Sequence, residues 1–112
     1  GEGTGSGRGG DGMGGAAATK AVKISGDISR ASDYPIPDGG REVRIGTSVS
    51  IAITVGADGL PKSCRVFKPG PFPETNARTC ELAMARFRFK PATNRNGEPV
   101  QSVFGWKQDF FN

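Results

Sequence analysis

The feature that most constrains this chain is a strictly alternating run, "TSVSIAITV", at residues 47–55. Small residues separate the members of a branched apolar set, which is Val49, Ile51, Ile53 and Val55. Because successive side chains of a strand point to opposite faces, this pattern predicts a strand with one buried face. Such a strand needs neighbours and a covering layer, which the rest of the chain must supply.

The residues that follow this run predict a β-hairpin. The sequence "GADG" at residues 56–59 is typical of a tight turn, with Asp58 and Gly59 at the positions that need a positive φ. Residues 60–68 are therefore expected to return beside the first strand. In that second strand, Cys64 and Val66 share the inward face.

A helix is predicted after the proline-rich loop "PGPFP" at residues 69–73. Asn76 is a suitable N-cap. The inward stripe has helical spacing and consists of Ala77, Cys80, Ala83, Met84 and Phe87. Pro91 is expected to end this element, and Asn96 with Gly97 marks a turn.

The last predicted strand covers residues 100–111 and places Phe104, Trp106 and Phe110 on one face. A helix that links the second strand to this one must cross over the sheet. We therefore predict an α+β domain with ββαβ topology. Its three-stranded antiparallel sheet has the order 2-1-3, and one main helix packs on one face. This order makes the C-terminal strand an edge of the sheet.

The chain contains two cysteines and no histidine. Cys64 and Cys80 are both expected to face the core, so a disulfide between them is predicted, and two separate buried thiols are the alternative. A bridge would contribute about 3 kcal/mol by restricting the unfolded chain. Because a structural metal site needs more ligands than these, we expect neither a metal nor a cofactor.

Glycine dominates the first residues, "GEGTGSGRGGDGMGG". A segment with so little apolar surface cannot offset the entropy of ordering its backbone. We predict a flexible linker over residues 1–20 and a folded domain over residues 21–112. Two matches to G-x-G-x-x-G occur in the linker, but neither follows a strand or opens a helix, so neither predicts a nucleotide-binding loop.

Charge and motif content argue against nucleic-acid binding and against catalysis. Fifteen basic and eleven acidic residues give a net charge of +4, with the two signs mixed along the chain. The segment "ARFRFKPA" at residues 85–92 combines cations and aromatic rings. We expect Phe87 and Phe89 to pack inward while Arg86, Arg88 and Lys90 stay solvated. No catalytic motif is present, so a non-enzymatic role is expected.

Five short features, taken in order, carry a family resemblance. They are "DYP" at 33–35, "VGADG" at 55–59, a helix with "TC" that leads to "ARFRFKPA", "NGEPV" at 96–100 and the terminal aromatic strand. Over residues 24–111 the chain resembles the C-terminal domain of the TonB energy-transducer family. The cysteine pair is similar to that of a subset in which the second strand and the helix are disulfide-linked, which fits an oxidising periplasm.

The resemblance implies a periplasmic domain that an upstream helix anchors to the inner membrane. A chain that starts at Gly1 rather than Met fits an upstream segment of this kind. In the family, the anchor associates with proton-driven motor proteins. The C-terminal domain binds outer-membrane transporters through a short peptide, the TonB box, which adds as a strand to the sheet edge. The implied partner-binding residues are Asp33, Tyr34, Pro35, Val103, Gly105, Lys107, Gln108 and Asp109.

Two other functions stay open on the sequence: a TolA-like envelope adaptor of similar fold, and a basic nucleic-acid-binding module. A weak homodimer is a further open partner state. The chain also departs from the family at residues 36–40, "IPDGG", where many members have a short helix that this sequence disfavours. The spacing from there to the first strand is about two residues longer than the family pattern.

Overall fold

In the computed structural model, residues 16–111 are described, and residues 1–15 of the predicted linker lie outside them. The described chain forms seven strands, one α-helix and two short 3₁₀ turns, at Ala31–Asp33 and Arg41–Arg44. In chain order the other elements are β1 (Val22–Ser25), β2 (Ser48–Val55), β3 (Pro61–Lys68), α1 (Pro73–Arg86), β4 (Arg88–Lys90), β5 (Ala92–Thr93), β6 (Pro99–Val100) and β7 (Ser102–Asp109).

The main sheet has three antiparallel strands, with β2 between β3 and β7. On the inner face, Ile53 of β2 pairs with Cys64 on one side and with Phe104 on the other. The predicted α+β class, with a helix and an antiparallel sheet, is confirmed. The remaining strands form two small antiparallel pairs, β1 with β4 and β5 with β6, which no sequence pattern predicted.

The core lies between the inner face of β2 and the helix. The four branched residues of β2 are at most 1% exposed, as the alternation predicted. The opposite face is not simply solvated, since Ser50 and Ala52 are also buried. Ser50 is in register with Lys68 and Lys107 on the two neighbouring strands. We attribute the burial of this small residue to its longer neighbours.

The predicted hairpin between β2 and β3 is present, but its turn differs from the expected one. Only Gly59 has a positive φ there, at 83°, whereas Asp58 does not. The N–H of Gly59 donates to the carbonyl of Gly56, and the N–H of Gly56 donates to that of Leu60. The pairing also shifts between Thr54 and the next residue of β2. The extra residue in this turn removes the need for a positive φ at Asp58.

Helix α1 begins earlier than predicted, at Pro73, with Phe72 in the N-cap position. Asn76 is therefore not the cap. Its side-chain amide accepts from the N–H of Gly70 at 2.9 Å and donates to the Gly70 carbonyl at 3.0 Å. A proline in the first helical turn is favourable because that position needs no N–H. Asn76 thus ties the preceding loop to the helix.

The buried stripe of α1 is rotated relative to the prediction. Ala77 is exposed, and Cys80 and Met84 are only half-buried. The buried helical residues are Thr75, Thr79, Leu82 and Ala83. Two threonines belong to this face because each finds a hydrogen-bond partner there. The spacing of apolar residues cannot show that a buried threonine has a hydrogen-bond partner.

Phe87 and Phe89 close the core directly after the helix, at 0% and 4% exposure. Arg88 and Lys90 are exposed, as expected. Arg86, which was also expected to be solvated, is half-buried and forms an ion pair with Asp33. The N–H of Phe89 donates to the carbonyl of Gly59 at 2.9 Å, which joins β4 to the hairpin turn. No helix within residues 16–111 is long and apolar enough to cross a bilayer.

The first described residues are held to the domain. Ala18 and Thr19 both donate their backbone N–H to the carbonyl of Thr93, at 2.6 and 3.1 Å, and the two threonine hydroxyls lie 2.9 Å apart. These bonds fall within residues 16–20, the described part of the span predicted as a linker.

Candidate functional site

The outer edge of β7 offers backbone hydrogen-bonding groups. No strand within the described residues pairs with that side. The N–H of Phe110 donates to the carbonyl of Thr47, in register with β2. In an antiparallel pair, alternate residues direct both backbone groups to the same side. The even-numbered residues of β7 therefore direct their backbone N–H and C=O groups toward β2. The residues whose backbone N–H and C=O groups point away from β2 are Val103, Gly105, Lys107 and Asp109.

The two edges of the sheet differ in how well they are protected. β3 begins with a proline, its pairing with β2 is irregular at two points, and it carries Lys62, Arg65 and Lys68. Prolines, bulges and lysines are devices that block strand addition. β7 pairs with β2 over all eight residues without a register shift. Its central edge position is Gly105, where another backbone can approach closely. β7 thus carries fewer of the features that block strand addition than β3 does.

The predicted site residues of β7 divide into two groups. Lys107 and Asp109 are exposed and form a 3.6 Å ion pair with each other. Gln108 points to the opposite face, where its Oε1 accepts from the indole N–H of Trp106 at 2.9 Å. Its Nε2 donates to the carbonyl of Ile28 at 3.1 Å. Gln108 therefore holds the N-terminal segment against the sheet, and its backbone faces β2.

Tyr34, another predicted site residue, is in the core. Its side chain is 5% exposed, and its ring meets that of Phe110 edge to face at 5.1 Å. The hydroxyl lies 3.0 Å from Oγ1 of Thr79 on the helix. Burial raises the pKa of Tyr34 above its ordinary value. In this conformation the ring contacts the fold, while the neighbouring Pro35 is exposed.

Asp33 fixes the same segment to the end of the helix. Its carboxylate accepts two hydrogen bonds from the guanidinium of Arg86, at 2.7 and 2.8 Å. Its backbone carbonyl accepts from Nε of Arg78 at 2.9 Å. The hydrogen bonds from Arg86 hold the pKa of Asp33 below its ordinary value. The structure thus gives Asp33 a structural role.

Some of the predicted residues come together in one groove, which we call the terminal groove. It has a volume of about 720 Å³ and lies at the C-terminal end of β7, between that strand and residues 28–45. Tyr34, Gln108 and Asp109 line it. Val103 and Gly105 are not among its lining residues.

Arg44 also lines the terminal groove, although no sequence pattern pointed to it. It is 3% exposed, and its guanidinium lies 5.0 Å from the ring centres of both Tyr34 and Phe110. Nη1 donates to the carbonyl of Pro35 at 3.0 Å and to Oγ1 of Thr75 at 3.4 Å. Burial lowers the pKa of Arg44. Arg44 lies in a polar loop sequence, and nothing in that sequence indicates that its side chain is buried.

The predicted disulfide is present. Cys64 of β3 and Cys80 of α1 are bonded, with their Cα atoms 5.7 Å apart. The bridge fastens the helix to the outer strand of the sheet on the side away from β7. The disulfide therefore leaves the β7 edge and the terminal groove uncovered.

Comparisons with known proteins returned nothing: no protein-family model, no curated protein and no solved structure matches this chain. A function must therefore be proposed from the site itself and from the resemblance carried by the sequence.

Proposed function

We propose that this domain binds an extended peptide by strand addition at the outer edge of β7. Following the resemblance, the peptide is the TonB box of an outer-membrane transporter. The domain then acts in the periplasm, tethered to the inner membrane through an upstream segment. There it transmits energy from proton-driven motor proteins to substrate uptake. The observation that carries the proposal is that β7 pairs with β2 without a register shift, whereas β3 begins with a proline and pairs irregularly.

The chemistry of the edge supports this mode of binding. The outward N–H and C=O groups of Val103, Gly105 and Lys107 provide a ladder for a peptide backbone. The exposed Lys107 and Asp109 discourage indiscriminate pairing without closing the edge. A short disordered peptide loses conformational entropy when it becomes ordered, so we expect modest affinity.

The arrangement of the larger elements supports the family part of the proposal. If the short strands are set aside, β2, β3, α1 and β7 form a ββαβ succession. Numbered by themselves, their strands have the order 2-1-3. We propose that this succession is the common core and that β1, β4, β5 and β6 are additions around it. The Cys64–Cys80 disulfide is compatible with an oxidising compartment such as the periplasm.

A titration with transporter box peptides tests the proposal, with backbone amide shifts followed by nuclear magnetic resonance. We expect saturable shifts at Val103, Gly105, Lys107 and Asp109, and no response at the β3 edge. A peptide of the same composition in scrambled order is the control. Shifts confined to β3, or equal responses to both peptides, would refute strand addition at β7. Recovery of other periplasmic proteins in place of transporters would favour a TolA-like adaptor.

A further inference from the structure

The terminal groove has apolar walls that residues 16–111 leave exposed. Ile36 is 60% exposed and Phe111 is 80% exposed, and both line the groove. Ile45, 42% exposed, lines it as well. Exposed large apolar side chains gathered around a concave surface are typical of a binding site.

A buried cation lies among these walls. Arg44 is 3% exposed, and within residues 16–111 no carboxylate is close enough to form an ion pair with it. Its partners are neutral: two aromatic rings, one carbonyl and one hydroxyl. A buried charge is costly unless an opposite charge compensates it. Arg44 therefore creates a preference for an anionic group in the groove.

Positive charges predominate around the groove. Arg30 and Arg41 line it and are exposed, and the charge of Arg41 adds to the effect of burial in lowering the pKa of Arg44. Two carboxylates, Glu42 and Asp109, also line the groove, but Asp109 is already paired with a lysine. The net charge of the groove is positive, which complements an acidic ligand.

We propose that the terminal groove binds a polypeptide segment in which a carboxylate side chain is adjacent to an apolar one. The carboxylate accepts hydrogen bonds from Arg41 and Arg44, and the apolar side chain packs on Ile36 and Phe111. This recognition uses side chains and not the β7 backbone. It goes beyond the proposed strand addition and does not depend on it.

Two short probes test the charge requirement: acetyl-Leu-Glu-Leu-amide and its uncharged counterpart acetyl-Leu-Gln-Leu-amide. Each is titrated into the full chain while backbone amides and arginine side-chain N–H groups are followed. We expect the Glu probe to shift residues 40–45 and the Nε–H of Arg44. The Gln probe should bind about tenfold more weakly, as expected for the loss of a charge-assisted hydrogen bond. Equal binding of the two probes, or no response at residues 40–45, would overturn the proposal.

Variants test which arginines bind the carboxylate of the probe. Arg41→Gln should remove part of the roughly tenfold preference for the Glu probe and leave binding of the Gln probe unchanged. Arg95→Gln, an exposed arginine outside the groove, is the matched control and should change neither. Arg44→Met keeps the apolar stem and should abolish the preference for Glu. If that variant does not fold, Arg41→Gln decides alone. Unaltered discrimination in Arg41→Gln would refute the assignment.

These measurements separate the two proposals. Shifts at residues 40–45 without shifts at the outward amides of β7 support the groove alone. In the box-peptide titration, shifts at the β7 edge support strand addition whatever the tripeptide probes do. Failure of one site therefore leaves the other intact.

Discussion

Asp33 and Arg86 form a bidentate ion pair that joins the end of helix α1 to a 3₁₀ turn 53 residues earlier in the chain. The guanidinium of Arg86 also donates to the carbonyl of Asp27 at 3.1 Å. One side chain thus holds two points of the N-terminal segment. That segment carries Tyr34 and forms one wall of the terminal groove. The geometry of the groove therefore depends on this pair.

The ion pair predicts a specific pH dependence of stability. Arg86 holds the pKa of Asp33 below its ordinary value, so the pair stabilises the fold above about pH 4. This contribution is lost as the pH falls through the folded-state pKa. We expect Arg86→Gln to lower the urea midpoint most near neutral pH, and the difference from wild type to shrink in acid.

A comparison with Asp33→Asn separates the charge from the other contacts of Arg86. That variant should show the same pH trend but a smaller loss, since the bond from Arg86 to Asp27 survives. Asp58, whose pKa Lys62 also lowers, titrates in every variant and cancels in the differences. If the difference in urea midpoint between wild type and Arg86→Gln is the same at every pH, the ion pair with Asp33 is not the source of the loss.

Sequence reasoning succeeded where a pattern repeats and failed where single contacts decide. The alternation in β2 predicted its buried face, and the cysteine positions predicted the disulfide. The strands β1, β4, β5 and β6 are two to four residues long, too short to show a period. They exist because tertiary contacts align them, as when Phe89 bonds to the turn at Gly59.

The site was predictable only in part, for the same reason. The prediction that the last strand carries exposed positions came from its expected place at the sheet edge. Neither the burial of Arg44 nor that of Tyr34 follows from any local spacing. Both depend on a loop packing against Thr75 and Thr79 of the helix. Sequence periodicity carries no information about such long-range polar partners.

The buried contact between Tyr34 and Thr79 predicts an asymmetric pair of variants. Oγ1 of Thr79 donates to the carbonyl of Thr75 at 2.8 Å, so the Tyr34 hydroxyl is the donor to Thr79. Tyr34→Phe loses one hydrogen bond but leaves no buried donor without an acceptor. It should lower the free energy of unfolding by about 1 kcal/mol. Thr79→Val leaves the buried phenol without its acceptor and should cost more, about 2 kcal/mol. Urea unfolding of both variants checks the order. Equal losses would contradict the assigned donor direction.

Two glycines with positive φ predict different costs for the same change. Gly97 has φ 81°, and a Cβ added there would point into open space, whereas a Cβ at Gly59, φ 83°, would meet the carbonyl oxygen of Phe89. Gly97→Ala should cost about 1 kcal/mol from the backbone conformation alone. Gly59→Ala should cost clearly more, because β4 must also move. Thermal unfolding of the two variants gives the comparison, and similar melting temperatures would mean that the close approach is unimportant.

The Cys64–Cys80 bridge predicts a large loss of stability on reduction. It spans a sequence separation of 16 residues, and its removal should cost about 3 kcal/mol through the entropy of the unfolded chain. Mass spectrometry of unreduced protein should give a mass lower than that of the reduced chain by two hydrogen atoms. The double variant Cys64→Ser with Cys80→Ser should match reduced wild type in urea. A reduced protein as stable as the oxidised one would show that packing, not the bridge, holds α1 on β3.

Prolines at adjacent positions of β7 distinguish the function of the edge from the stability of the sheet. The N–H of Lys107 faces outward, so Lys107→Pro removes a donor that no described strand uses. It should weaken box-peptide binding about tenfold, as expected for one backbone hydrogen bond, with little loss of stability. Gln108→Pro removes a donor that faces Val49 of β2 and should lower the urea midpoint. Lys107→Ala, which keeps the N–H, is the control and should bind normally. If Lys107→Ala weakens binding as much as Lys107→Pro does, the lysine side chain and not the backbone edge recognises the peptide.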